Sequence, residues 1–192
     1  VLTPEEMMSA AKDAGLDGVC ITEHNKIWTP DEARALSEQF ELPVFRAMEV
    51  TTTGGDILVY GLETEPDGMV SPAELKTEVD RAGAVAIAAH PFRGFLLFGF
   101  QALQMDLSAA MDNPTFSQVH GLEVCNSMVT DDENNLAARV ADELGLIKIG
   151  GSDAHKAEAL GTCVTIFNNT IANEQEMIAA LLNREFSMER AK

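Results

Sequence analysis

Four apolar stretches of this chain each end in a histidine or a carboxylate. Val19 to Thr22 runs into Glu23-His24-Asn25, and Val44 to Met48 into Glu49. Val85 to Ala89 runs into His90-Pro91. Leu146 to Ile149 runs into Gly150-Gly151-Ser152-Asp153-Ala154-His155. Short apolar runs bounded by turn residues read as buried strands. At the C-terminal edge of parallel strands such residues share one face, where α/β barrels keep their chemistry. Imidazoles and carboxylates without thiolates suit Zn, Mn or Fe. A bridging carboxylate can hold two such ions about 3.5–4 Å apart, as phosphoester cleavage uses them. Asp153 and His155 are two apart, and on an extended segment they would point the same way. Gly150-Gly151 would let the backbone turn sharply and come close to another group. Three of the four histidines, His24, His90 and His155, hold these strand-end positions. His120 precedes a strand instead and reads as structural or surface.

The elements that must carry these residues are legible around them. Thr3-Pro4-Glu5-Glu6, Thr29-Pro30-Asp31-Glu32 and Ser71-Pro72-Ala73-Glu74 are helix starts with a capping residue, proline at the first turn and glutamate three positions on. Strands are expected at Gly18–Thr22, Pro43–Thr52, Asp56–Gly61, Ala84–Ala89, Gly121–Cys125, Leu146–Ile149 and Gly161–Phe167. Gly54-Gly55 turns the second into the third. Further helices are expected over Asp131–Leu144 and Asn173–Asn183. Strands alternating with helices predict an α/β fold with parallel strands. Arg93 to Asn113 interrupts that rhythm, either as an insertion over the catalytic face or as a core helix with a long lead-in. No linker is visible, so residues 1–192 read as a single domain.

Composition narrows the function. Of 192 residues 46% are hydrophobic, enough for one sizeable core. No apolar run reaches the roughly 18 residues of a membrane helix, and the opening residues lack a basic segment followed by an apolar one. The net charge of −18 opposes binding to a nucleic-acid backbone. Cys20, Cys125 and Cys163 are odd in number and far apart, which predicts reduced thiols and a cytoplasmic setting.

Ile21-Thr22-Glu23-His24-Asn25, Met48-Glu49, Ala89-His90-Pro91-Phe92-Arg93, Glu123-Val124-Cys125-Asn126 and Gly151-Ser152-Asp153-Ala154-His155 resemble, in order and spacing, the motifs of the polymerase and histidinol phosphatase (PHP) family. The resemblance implies a distorted (β/α)7 TIM-like barrel holding two or three divalent ions (Mn, Zn or Fe) at the strand C-termini. It implies His24, Glu49, His90, Asp153 and His155 as metal ligands, with Glu49 as the bridge. Glu49, His90 and Asp153 would face the reaction itself. Arg93 and Asn126 would contact substrate, Arg93 at a phosphate. Three departures stand out. The family opens with a strand carrying His-x-His, whereas this sequence opens at the helix that follows, so the expected barrel lacks its first strand. Glu23 stands where the family usually has Asp. Asn126 is not followed by the histidine many members carry. Asp56, where some members have His, either ligates or caps the turn.

The function that follows is metal-activated hydrolysis of a phosphoester on a small phosphorylated substrate, without membrane or nucleic-acid partners. The alternatives are a catalytically incomplete PHP-fold scaffold or binding module, and a proofreading exonuclease-type module. A missing first strand would leave an open barrel edge, which a second copy of the chain could cover.

Overall fold

Four helices begin at the same chemical signal. Thr3, Thr29, Ser71 and Thr130 each accept from the backbone N–H three residues on. Glu6, Glu32, Glu74 and Glu133 each bond back to the capping residue's own N–H. The reciprocal pair satisfies donors that a helix start otherwise leaves open. These caps open α1 (Pro4–Asp13), α2 (Pro30–Phe40), α3 (Pro72–Ala82) and α5 (Asp131–Leu144). The computed structural model describes residues 2–94 and 107–190. Of the interrupting stretch, residues 95–106 lie outside the described residues; within it α4 spans Leu107–Met111.

The strands β1 (Val19–His24), β2 (Val44–Thr52), β3 (Gly55–Tyr60), β4 (Val85–Ala88), β5 (Gly121–Asn126) and β6 (Ile147–Gly151) form one six-stranded sheet in chain order. It curls into a half-barrel, and a complete barrel is not closed among the described residues. The β1–β2, β4–β5 and β5–β6 pairs are parallel, but β3 is antiparallel to both neighbours. This corrects the all-parallel expectation. The two-glycine turn after Thr52 makes β2 and β3 a hairpin, and a hairpin can only be antiparallel. The last expected strand, β7 (Cys163–Phe167), is not in this sheet. It pairs with β8 (Phe186–Arg190), which the sequence reading missed, in a two-stranded antiparallel sheet.

Residues on opposite faces of the half-barrel enter different cores. Met48, Val50, Ile57, Val59, Leu122 and Val124 face α3 and α5, where Leu75, Val79, Ala137 and Val140 meet them. Ala47, Leu58, Val85, Ile87 and Ile149 form a second cluster with Met177 and Leu181 of α6 (Glu174–Asn183). Burial on both faces explains why β4 reads as a continuous apolar run. Among the described residues no helix is long and apolar enough to cross a membrane.

Cys125 and Cys163 form a disulfide between β5 and β7, and Cys20 alone is free. That corrects the expectation of three reduced thiols. The two cysteines are 38 residues apart in sequence, so spacing alone could not show their approach.

His120 lies at the start of β5, at the end of the strand away from Asn126. Its Nδ1 accepts the Ala86 N–H at 3.1 Å, its own N–H donates to Ala86 O, and its carbonyl accepts from Ile147. The bond to Ala86 requires a neutral ring. Burial, then the charge of Lys76, lowers the imidazole below its ordinary 6.5. The unfolded chain therefore takes up this proton more readily than the folded one. The contribution is present above pH 6.5 and is lost as pH falls through the folded value. His120→Ala should cost about 1–2 kcal/mol in urea unfolding at pH 8. It should also flatten the decline in stability below pH 6.5. A variant with an unchanged acid limb would refute this role.

Candidate metal centre

Strand pairing puts the first donors side by side. In the β1–β2 register His24 is opposite Glu49, and in the β2–β3 register Thr51 is opposite Asp56. Directly opposed residues in a sheet have neighbouring side chains. Ligand atoms of His24, Glu49 and Asp56 all lie within 4.8 Å of one another, close enough to share one ion. Asp56, left open between turn cap and ligand on sequence, thus joins the cluster.

Glu49 is 6% exposed, and both its oxygens face imidazoles. Its Oε1 lies 3.0 Å from His90 Nε2 and its Oε2 3.5 Å from His24 Nε2. Burial would raise this carboxyl. The His90 hydrogen bond, with the charges of His24, His90 and Arg93, outweighs it and holds Glu49 below the ordinary 4.5.

Asp153 forms a second group. Arg93 Nη2 pairs with its Oδ2, which also receives the Asn126 amide at 3.3 Å. His155 is mostly exposed, and its Nδ1 lies 3.0 Å from Asp153 O and 3.5 Å from its Oδ1. The Asp153–His155 segment is not extended, because Asp153 is left-handed at φ +48°. His155 folds back on the aspartate, which corrects the picture of two side chains simply sharing a strand face. Asn25 (φ +49°) and His90 (φ +28°) are left-handed too. Three strands therefore leave the sheet at this site in a conformation non-glycine residues rarely take.

Two buried residues stand behind the donors. Glu123, 4% exposed, accepts the His90 backbone N–H and the Asn126 amide, each at 2.9 Å on Oε2. Burial pushes its carboxyl up, against the pull of those hydrogen bonds. The sequence reading quoted Glu123 but gave it no role. Its signal was a lone acid inside the apolar run Gly121–Cys125. Asn126 is 0% exposed, and its amide is used by Glu123, Asp153 and the Met128 N–H. That corrects the expectation of a substrate contact: a fully buried amide offers no surface to a ligand. The glycine pair does permit a close approach. A Cβ on Gly151 would stand 2.9 Å from Glu123 Oε1.

Residues 131–186, from the start of α5 to the start of β8, match the family model described as PHP-associated. These findings support a PHP-family assignment. The PHP-associated segment carries Asp153 and His155. The chain is 33% identical over 89 residues, 46% of its length, to an uncharacterized protein of Methanocaldococcus jannaschii. The match spans about half of that relative's length, 52%. A Bifidobacterium adolescentis protein, provisionally named a metal-dependent phosphoesterase, superposes with a TM-score of 0.64. It is 17% identical, over 96% of this chain and 91% of that one. PsfC from Pseudomonas syringae superposes at 0.61 with 21% identity, over 97% and 82%. An amidohydrolase from Chromobacterium violaceum, with bound sulfate and no metal, does so at 0.61 with 17% identity, over 98% and 93%. At these identities the structural likeness establishes the PHP-like α/β fold.

Proposed function

We propose that this chain is a metal-dependent hydrolase that cleaves a phosphoester of a small phosphorylated molecule. The observation that carries the reading is Glu49: a buried carboxylate with an imidazole on each oxygen and Asp56 beside it. The donor set fits divalent Mn, Zn or Fe, since it offers nitrogen and oxygen and no thiolate. His24, Glu49 and Asp56 would hold one ion. His90, Asp153 and His155 would hold a second or third, with Glu49 shared. Bound there, such ions supply an activated water and stabilise charge on a phosphoryl oxygen.

The chain's own residues orient and neutralise. Glu49, His90 and Asp153 border the reacting atoms. Arg93 pairs with Asp153, keeps 37% of its side chain exposed and can present a planar fork to phosphate oxygens. His24 and His90 both face Glu49; with an ion bound, their ligating nitrogens would carry no proton to donate. The −18 charge favours a small substrate over nucleic acid. The closed (β/α)7 barrel belongs to the same proposal. In the six-stranded sheet β1 is paired on one side only, so a further strand, from this chain or a second copy, would complete it.

The test is phosphate release from an aryl phosphate and from small phosphorylated metabolites across a Mn²⁺ and Zn²⁺ titration. Activity should rise with added ion and vanish with chelator. Arg93→Ala should lower kcat/KM about 5- to 150-fold, the size of a charge-assisted bond to a buried anion, without lowering metal content. No phosphate release from a protein with ions bound would move the reading to a scaffold.

A further inference from the structure

We propose that Asn126 is a positioning residue that couples the Asp153 end of the site to the His90 end. The proposal rests on the metal reading above.

The geometry begins with an irregularity in β5. Glu123 pairs with Ile149 of β6, but Cys125 pairs with the next residue, Gly150. Two positions of β5 therefore oppose one of β6, a bulge at Val124. In a regular strand residues three apart point to opposite faces. The extra residue reverses that parity, as bulges do when they re-aim side chains beside active sites. Glu123 and Asn126 consequently meet on one face, Nδ2 to Oε2 at 2.9 Å.

From there one amide reaches two strand ends. Asn126 Nδ2 donates to Glu123, whose same oxygen receives the His90 N–H and so fixes the left-handed turn that aims the His90 ring at Glu49. Nδ2 also donates to Asp153 Oδ2. The amide's orientation is not free, because Oδ1 accepts the Met128 N–H at 2.7 Å. Nor is its backbone. Asn134 of α5 accepts the Asn126 N–H and donates to the Asn126 carbonyl, both at 3.0 Å. Both donors of a fully buried amide are thus committed to holding Asp153 and the His90 turn in register, and its acceptor is fixed by Met128. Partners of metal ligands act in this way by fixing ligand orientation before an ion arrives.

The test measures Mn²⁺ affinity by calorimetric titration, apart from any activity. Asn126→Asp keeps the shape but loses both amide donors and sets a third carboxylate against Glu123 and Asp153. Asn126→Ser leaves a hydroxyl too short to span them. Val79→Ala, in the core beneath α3 and away from the bulge, serves as a variant that loses stability without touching the donors. Mn²⁺ should bind Asn126→Asp or Asn126→Ser about 10- to 100-fold more weakly. Val79→Ala should stay within about twofold of the unsubstituted protein. In an Asp153→Ala background the further loss on Asn126→Ser should shrink to a few-fold, because one of its two targets has already gone. If either folded Asn126 variant binds Mn²⁺ as Val79→Ala does, Asn126 is structural only and the proposal is wrong. If the unsubstituted protein binds neither Mn²⁺ nor Zn²⁺, the metal reading itself fails and takes this proposal with it.

Discussion

Glu49→Gln is expected to weaken divalent-ion binding by more than about 100-fold, and hydrolysis with it. A residue that merely supports a ligand changes affinity by up to about that factor. Glu49 instead presents its own two oxygens to the site, one toward His24 and one toward His90. Glutamine has the same shape, so packing against Ala47 and Leu58 is kept. What is lost is one acceptor and the negative charge that the folded site holds in place against burial. Metal content by atomic spectroscopy, beside His120→Ala as a substitution far from the cluster, checks the claim. Equal metal loss in both variants would show that the cluster is not the binding site.

Breaking the Cys125–Cys163 disulfide should cost about 4 kcal/mol, as expected for closing a loop of 38 residues in the unfolded chain. Gly150 of β6 packs closely against both bonded strands. A Cβ there would stand 3.3 Å from Cys125 Cβ and 3.2 Å from Val164 O. Urea unfolding with and without dithiothreitol, repeated on a Cys125→Ser/Cys163→Ser variant, reads the difference. Three reactive thiols in the native, unreduced protein would refute the bond.

What could be read in the sequence was local. The capping threonines and serine wrote their helix starts within four residues. His24, His90 and Asp153 were visible because an apolar run and its polar terminus are adjacent in the chain; Glu49, read as a terminus too, lies inside β2, which runs on to Thr52. What stayed hidden depends on which strand lies beside which. Asp56 stood open between ligand and turn cap until the hairpin carried it back to His24 and Glu49. Glu123 looked like an isolated acid until the β5 bulge set it against Asn126. The cysteines looked unrelated because neither pairing partner was near in sequence. β8 was missed because Phe186–Arg190 is short and half polar, and its pairing with β7 supplies what its own pattern lacks.

The left-handed residues at the strand ends limit what chemistry this site could be changed to perform. Glycine would relieve the backbone at Asn25, His90 or Asp153, yet it brings no donor. The side chains that tolerate positive φ best after glycine are Asn, Asp and His, and Asp and His are also good ligands for hard and borderline ions. Exchanges among these three should therefore be cheap for the backbone, letting the centre drift between oxygen-rich and nitrogen-rich. Branched or bulky replacements at the same positions would have to fight the turn first. The vocabulary open to this site is set by torsion angles as much as by the ion.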